Sequence, residues 1–121
     1  MSIDKNTQLH NIWNVEAALA RLGGNETLLN RIVGMYLDQI HLKQQQLSNA
    51  IQTMNVEEVQ LQSHSLKGLS GDVGADAVRE KASEIELFAK NNQMDKVNKE
   101  IVELNAVIEA TVTHMEKSIK K

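Results

Sequence analysis

Apolar residues recur three and four positions apart along nearly the whole chain after Trp13, the spacing of α-helices that turn one face to a core. Val15, Ala18, Leu19 and Leu22 predict a short first helix, capped by Asn14 and stopped by Gly23-Gly24. Asn25 is placed to cap a long second helix, with Glu26 in the first turn, where a carboxylate meets the positive end of the helix dipole. Leu28, Leu29, Ile32, Val33, Tyr36, Leu37, Ile40, Leu47 and Ile51 supply its apolar side, and it should stop near Met54. Asn55 with Glu58 three residues on is an asparagine variant of the capping box. It opens a third helix that carries Val56, Val59, Leu66, Leu69 and Val73. Gly71-Asp72-Val73-Gly74 predicts the break before a fourth helix with Ala75, Val78, Ala82, Ile85 and Ala89, ended by Asn91-Asn92. The last helix has the cleanest period: Met94, Val97, Ile101, Leu104, Ile108, Thr111 and Met115 form a coiled-coil-like seam.

Short turns between long amphipathic helices force neighbours to run antiparallel. The expected fold is therefore all-α, an antiparallel up-down four-helix bundle with a short additional N-terminal helix. It should be one domain over residues 1–121, with a core from about 13 to 117. Composition sharpens this reading. Only 2% of the residues are aromatic, namely Trp13, Tyr36 and Phe88, so aliphatic residues and methionine must fill the core. Proline is absent, which argues against a many-stranded β fold. The lack of cysteine removes disulfides, thiolate chemistry and cysteine-based zinc sites, and suits a reducing compartment.

A net charge of −3 provides no field to draw in nucleic acid, and Lys117, Lys120 and Lys121 read as a solvated helix end. No apolar run approaches the ~18 residues of a membrane span. Met1 to His10 is polar and lacks the apolar stretch of a signal peptide. The chain reads as a soluble, cytoplasmic monomer that touches neither nucleic acid nor membrane.

The third helix departs from simple packing. At about 100° per residue, Val59, Leu66 and Val73 fall within roughly 40° of one another, and Leu69 lies about 40° beyond. His64 is about 160° from that face, on the side turned to water, with Leu61, Gly68 and Gly71 as its neighbours there and Lys67 one turn along. A glycine inside a helix costs ~1 kcal/mol relative to alanine. On a water-facing side, packing does not ask for small residues, so these glycines point to something outside the bundle that needs room beside the imidazole. Gly68 at i+4 removes a side chain that would shade His64, and Lys67 at i+3 brings a cation close. A neutral imidazole is a nucleophile near pH 7. Beside an ammonium it suits receipt of a phosphoryl group, the nitrogen attacking and the lysine meeting the charge that arrives.

The segment Gln62-Ser63-His64-Ser65-Leu66-Lys67-Gly68-Leu69-Ser70-Gly71-Asp72-Val73-Gly74-Ala75 resembles the signature of the histidine-containing phosphotransfer (HPt) domains of two-component phosphorelays: H-x-L-K-G, a few small residues, then G-A. Leu22-Gly23-Gly24-Asn25-Glu26 with Leu28-Leu29 is similar to the family's opening turn, and Ile85-Glu86 lies where many members carry Leu-Glu or a glutamine. The resemblance runs from about Trp13 to Glu109. It implies that His64 is the phosphoacceptor through Nε2, that Lys67 steadies the phosphoryl group, and that Gly68 admits the partner domain, with Leu61 and Gly71 beside it. Glu86 sits where some relatives place a glutamine. A carboxylate there would repel a phosphoryl group, so its expected task is to hold Lys67 or the imidazole. Ser63 stands for a common alanine and Asp72 for a common asparagine or serine.

Other charged groups suggest less. His10, His41 and His114 have no partner histidine one turn away, so solvated surface is expected and no metal site. Asp76, Glu80 and Glu84 share one side of the fourth helix, but Arg79, Lys81 and Lys90 nearby make that a solvated charged face. No phosphate loop or kinase ATP motif is visible, so no autonomous kinase activity is expected. The resemblance therefore implies a phosphorelay carrier. It would take a phosphoryl group from a receiver-domain aspartate and pass it to another, with a hybrid sensor histidine kinase upstream. It would need no cofactor of its own, the Mg²⁺ being supplied by the partner receiver. The alternatives are a helical module that binds receivers or a kinase without phosphate transfer, and an enzyme or metal-binding bundle of another kind. The last lacks the inward-facing carboxylate and histidine pairs such bundles use.

Overall fold

The computed structural model describes residues 12–119, and five α-helices make up nearly all of them: α1 Val15–Arg21, α2 Glu26–Gln52, α3 Val56–Val73, α4 Asp76–Lys90 and α5 Met94–Ile119. No strand occurs among the described residues. His10, Lys120, Lys121 and the polar stretch Met1 to His10 lie outside them. The three asparagines named above each start a helix by accepting a backbone N–H with the side-chain oxygen. Asn14 takes Ala17 at 3.2 Å, Asn25 takes Leu28 at 3.0 Å and Asn55 takes Glu58 at 3.1 Å. Only half of the capping box forms at Asn55, because the Glu58 carboxylate accepts from Gln62 Nε2 at 2.7 Å instead.

The C-termini of α1 to α4 all close with the same pair of backbone hydrogen bonds, six-to-one outside five-to-two. Glycine takes the left-handed position after α1 and α3, while Met54 and Asn92 take it after α2 and α4. Gly74 is the most constrained of these positions. Its φ is +80°, and a Cβ there would stand 2.6 Å from the Asn14 carbonyl oxygen. The break after α3 is therefore only Gly74 and Ala75, with the left-handed turn at Gly74. Gly71 and Asp72, expected within the break, continue the helix to Val73.

Helices α2 to α5 each pack on the next and α5 closes on α2, the expected four-helix bundle, while α1 lies against α2 and α3. Val33, Ile40 and Leu47 from α2, Val59 and Leu66 from α3, Ile85 from α4, and Leu104, Ile108 and Met115 from α5 meet in the interior. The α5 seam is as read from the period, except that Val112 joins it and Ile101 is only half-buried. Leu28, assigned to the apolar side of α2, is exposed. No helix among the described residues is long and apolar enough to cross a membrane.

The core face of α3 contains two hydroxyls that hydrophobic patterning passed over. Val59, Ser63, Leu66, Ser70 and Val73, at i, i+4, i+7, i+11 and i+14, are all buried. Ser63 donates to the Val59 carbonyl at 2.7 Å, and Ser70 pairs with the Tyr36 hydroxyl at 2.8 Å, so neither oxygen is stranded. Burial pushes the Tyr36 phenol up to about 12, with the Ser70 hydrogen bond pulling against it. The far end of α3 is strapped by the segment leading into α1 and by the last residue of α1. Trp13 Nε1 donates to the Val73 carbonyl at 2.9 Å, Asn14 N to the Gly74 carbonyl at 2.7 Å, and Arg21 to the Gly71 carbonyl at 2.8 Å. With one face buried and its end held, α3 presents a fixed opposite face to solvent.

Candidate functional site

His64 lies on that opposite face, its side chain 66% exposed. Leu66, about half a turn round the helix, is fully buried, so packing of the core face sets the direction of the imidazole. Across from it, Val78, Ala82, Ile85 and Ala89 bury one side of α4 and leave Glu86 at the edge facing α3. The Glu86 carboxylate is only 13% exposed and divides its oxygens between two partners. His64 Nδ1 donates to Oε2 at 3.0 Å, and Lys67 Nζ donates to Oε1 at 2.9 Å.

A carboxylate accepts hydrogen bonds and donates none, so this contact places the imidazole proton on Nδ1. Nε2 then carries the lone pair. The ring is anchored at one nitrogen and nucleophilic at the other. Burial alone would push the Glu86 carboxyl up, but the hydrogen bonds and charges of Lys67 and then of His64 outweigh it. The result holds the carboxyl below the ordinary carboxylate range, and Glu86 is an anion at neutral pH.

Around the imidazole, α3 and α4 enclose an open cleft of about 270 Å³ lined by His64, Lys67, Ser83, Glu86, Leu87 and Lys90. Ser83 and Leu87 are not among the residues that the sequence singles out, and Lys90 reads there only as part of a solvated charged face. Their spacing of four and three residues, flanking Glu86 on one side of α4, is the signal that could have found them. On the other side of the ring, Gly68 is exposed, and a Cβ added there would meet nothing within 4 Å. Leu61 is 59% exposed one turn before His64. Gly71 has a different setting. It is half-buried, and a Cβ would stand 3.2 Å from Arg79 Cδ, so the open space beside the imidazole belongs to Gly68. A second, mainly apolar cleft of about 400 Å³ lies on the α2 side of α3, between Leu22, Ile32, Met35 and Leu69, and does not include His64.

The remaining candidates fall elsewhere. His41 pairs with Glu109 at 3.2 Å on the surface, and His114 packs edge-on against the Trp13 ring at 5.5 Å. Asp76 accepts from the Asn14 amide at 3.3 Å. Among the described residues no group of three or more histidines and carboxylates is arranged to hold a metal ion.

A helical bundle that fixes an outward imidazole between a glycine and a lysine defines a class of domain, and comparison with known proteins agrees. The Hpt domain family model matches residues 31–114, and the chain belongs to that family. The chain is also 26% identical over 86 residues to the phosphorelay intermediate protein rdeA of Dictyostelium discoideum. That match covers 71% of this chain and 34% of the relative, so the chain spans about a third of the relative's length. No solved structure gives a significant match.

Proposed function

We propose that this chain is a phosphorelay carrier whose phosphoacceptor is His64. The observation that supports it most is the solvent-facing Nε2, left free because Nδ1 is tied to Glu86. A receiver domain docks on the face around Leu61 and Gly68, with Gly71 at its far edge, and presents its aspartyl phosphate to the ring. Nε2 attacks phosphorus, the N–P bond forms as the P–O bond to the aspartate breaks, and the aspartate leaves as a carboxylate. In this reading Lys67, whose ammonium is held at 2.9 Å by the Glu86 carboxylate that also holds Nδ1, meets the negative charge that arrives at Nε2. The reverse sequence delivers the group to a second receiver. In this scheme a hybrid sensor histidine kinase is the source, Mg²⁺ belongs to the receiver, and the setting is the cytoplasm. The name of the Dictyostelium relative, a phosphorelay intermediate, supports the same reading.

The test is to mix the chain with a phosphorylated receiver and follow the label. It should move to this protein in an acid-labile, base-stable form. His64→Gln should abolish it while the helical circular dichroism and melting curve stay close to the parent's, because the ring faces water. Label surviving that substitution would rule His64 out. Receiver binding with no transfer to the parent would leave a non-catalytic interaction module.

A further inference from the structure

Glu86 and its two partners carry an inference about how long a phosphorylated state would last, and it rests on His64 being the phosphoacceptor. Attack by Nε2 of a ring that keeps its Nδ1 proton gives, as first product, a phosphoimidazolium, with Nδ1–H and a positive ring. In that form the ring is a good leaving group. Once the Nδ1 proton is lost the ring is neutral, and the N–P bond breaks slowly. The lifetime therefore depends on what faces Nδ1.

Here it faces a carboxylate anion at 3.0 Å that is largely shielded from water. Before phosphorylation the trio of Glu86, Lys67 and neutral His64 has no net charge. The phosphoryl group adds about two negative charges. A protonated ring then stands between the Glu86 carboxylate and the phosphoryl group, so that charges alternate along the row, whereas a neutral ring would leave two anions facing each other across it. Coulomb attraction over such distances is substantial where water is partly excluded. The other charged groups facing Glu86 oppose or modulate the effect: Lys67 from α3, at 2.9 Å on the second oxygen, and Lys90 one turn along α4 in the same cleft. Of these two cations, Lys67 is the one that acts on the Glu86 carboxyl, together with His64.

We propose that Glu86 is a positioning residue that keeps Nδ1 protonated through the transfer cycle, so that phosphorylated His64 stays in its cationic, readily discharged form. The chain then passes its phosphoryl group on and does not store it. A glutamine at this position would accept the same hydrogen bond with nearly the same shape, but without the charge.

Phosphoramidate provides a test that needs no partner. Its phosphorus is attacked by Nε2, its own P–N bond breaks, and the nitrogen takes up a proton from solvent and leaves as ammonia. After removal of excess donor, loss of phosphate from the phosphorylated protein is followed by ³¹P NMR across the pH range for the parent, Glu86→Gln and Lys67→Met. In each case the rate should fall as pH rises through the point at which Nδ1 loses its proton. That midpoint should lie at least about one pH unit lower in Glu86→Gln, which makes the phosphorylated state about tenfold longer-lived on the alkaline side. Lys67→Met removes a competing cation and should move the midpoint up. The opposite signs separate a charge effect from general loosening of the site. An unmoved midpoint in Glu86→Gln, with His64 labelled, overturns this proposal and leaves the phosphoacceptor reading standing. Failure to label His64 at all overturns both.

Discussion

Two charged clusters share α4, five residues apart, and they are built around opposite centres. At Glu86 one carboxylate serves two bases from α3, His64 and Lys67. At Lys81 one ammonium serves three carboxylates, with Glu100 and Glu103 of α5 each at 2.9 Å and Glu84 at 3.8 Å. In the second cluster the cation is surrounded by carboxylates. Hydrogen bonds that Lys81 donates to Glu103 and Glu100 raise the ammonium's pKa, and the neighbouring Glu84, then Lys81, hold Glu100 low against the effect of burial. Glu84 itself is pushed up, chiefly by its contact with Glu100. The contacts of the Lys81 ammonium with Glu100 and Glu103 lock α4 to α5. The first cluster leaves one atom uncommitted, Nε2 of His64, and that atom faces solvent. The number of ion pairs does not separate a structural lock from a reactive site. A free nucleophilic atom does.

If this contrast is right, the largest effect should come from Lys67→Ala. Single-turnover transfer from a phosphorylated receiver should fall by tenfold or more, since the ammonium acts where charge develops in the transition state. Circular dichroism should not change, and equilibrium receiver binding should weaken less than transfer. Equal losses in binding and rate would make Lys67 a docking residue and bring the two clusters closer in kind.

Lys81→Met should show the complementary pattern. Removing the cation leaves three carboxylates together, at a cost of about 1–2 kcal/mol once the water around Glu84 and Glu103 is allowed for. Thermal melting would read this as a drop of several degrees, with transfer kinetics near the parent's. A slowed transfer would mean that α4 relays the lock to the site.

The open edge of the site should give a smaller shift. Gly68→Ala should stabilise the chain by up to ~1 kcal/mol, since the added methyl meets nothing. Gly68→Gln, by contrast, should slow transfer far more than it alters melting. Parental transfer by both variants would remove Gly68 from the docking face.

The smallest effect concerns acid stability. The Glu86 carboxyl is held below its ordinary value of 4.5 in the folded chain, so it takes up protons less readily than in the unfolded chain. Its contribution is complete above about pH 4.5 and is lost as pH falls through the depressed folded value. Melting temperatures of Glu86→Gln should thus decline less steeply than the parent's below that pH. At Lys81 the signs are mixed, Glu100 behaving like Glu86 and Glu84 in the opposite sense, so Glu84→Gln should steepen the acid limb slightly. Identical limbs for the parent and Glu86→Gln would mean that the carboxylate is solvated in solution.

Helical period alone was enough to place most of the bundle, because apolar spacing and caps are local properties of the chain. Asn14, Asn25 and Asn55 start helices where a side-chain oxygen can reach a backbone N–H two or three residues on, which needs no tertiary contact. The outward direction of His64 followed in the same way, from the angle between it and Leu66. What spacing could not rank was the small polar residues. Ser63 and Ser70 are buried, yet a scale of hydrophobicity places them with the surface. Spacing spreads the break after α3 over Gly71 to Gly74, because the two glycines look alike in sequence and of the two only Gly74 adopts the left-handed backbone.

The sequence by itself determined which residues could form helices, which face of each was apolar, and that an imidazole, a lysine and a glycine shared the water side of one of them. Only the tertiary structure decided that Glu86, twenty-two residues beyond His64, reaches both the imidazole and the ammonium. It also decided that Gly68 is open while Gly71 lies under Arg79, and that Lys81 rather than Lys90 gathers the carboxylates of the next helix. The reason is that helical period fixes angles about one axis, whereas these contacts depend on the distance and rotation between two axes. Those are set by how the buried side chains of α3, α4 and α5 fill the space between them.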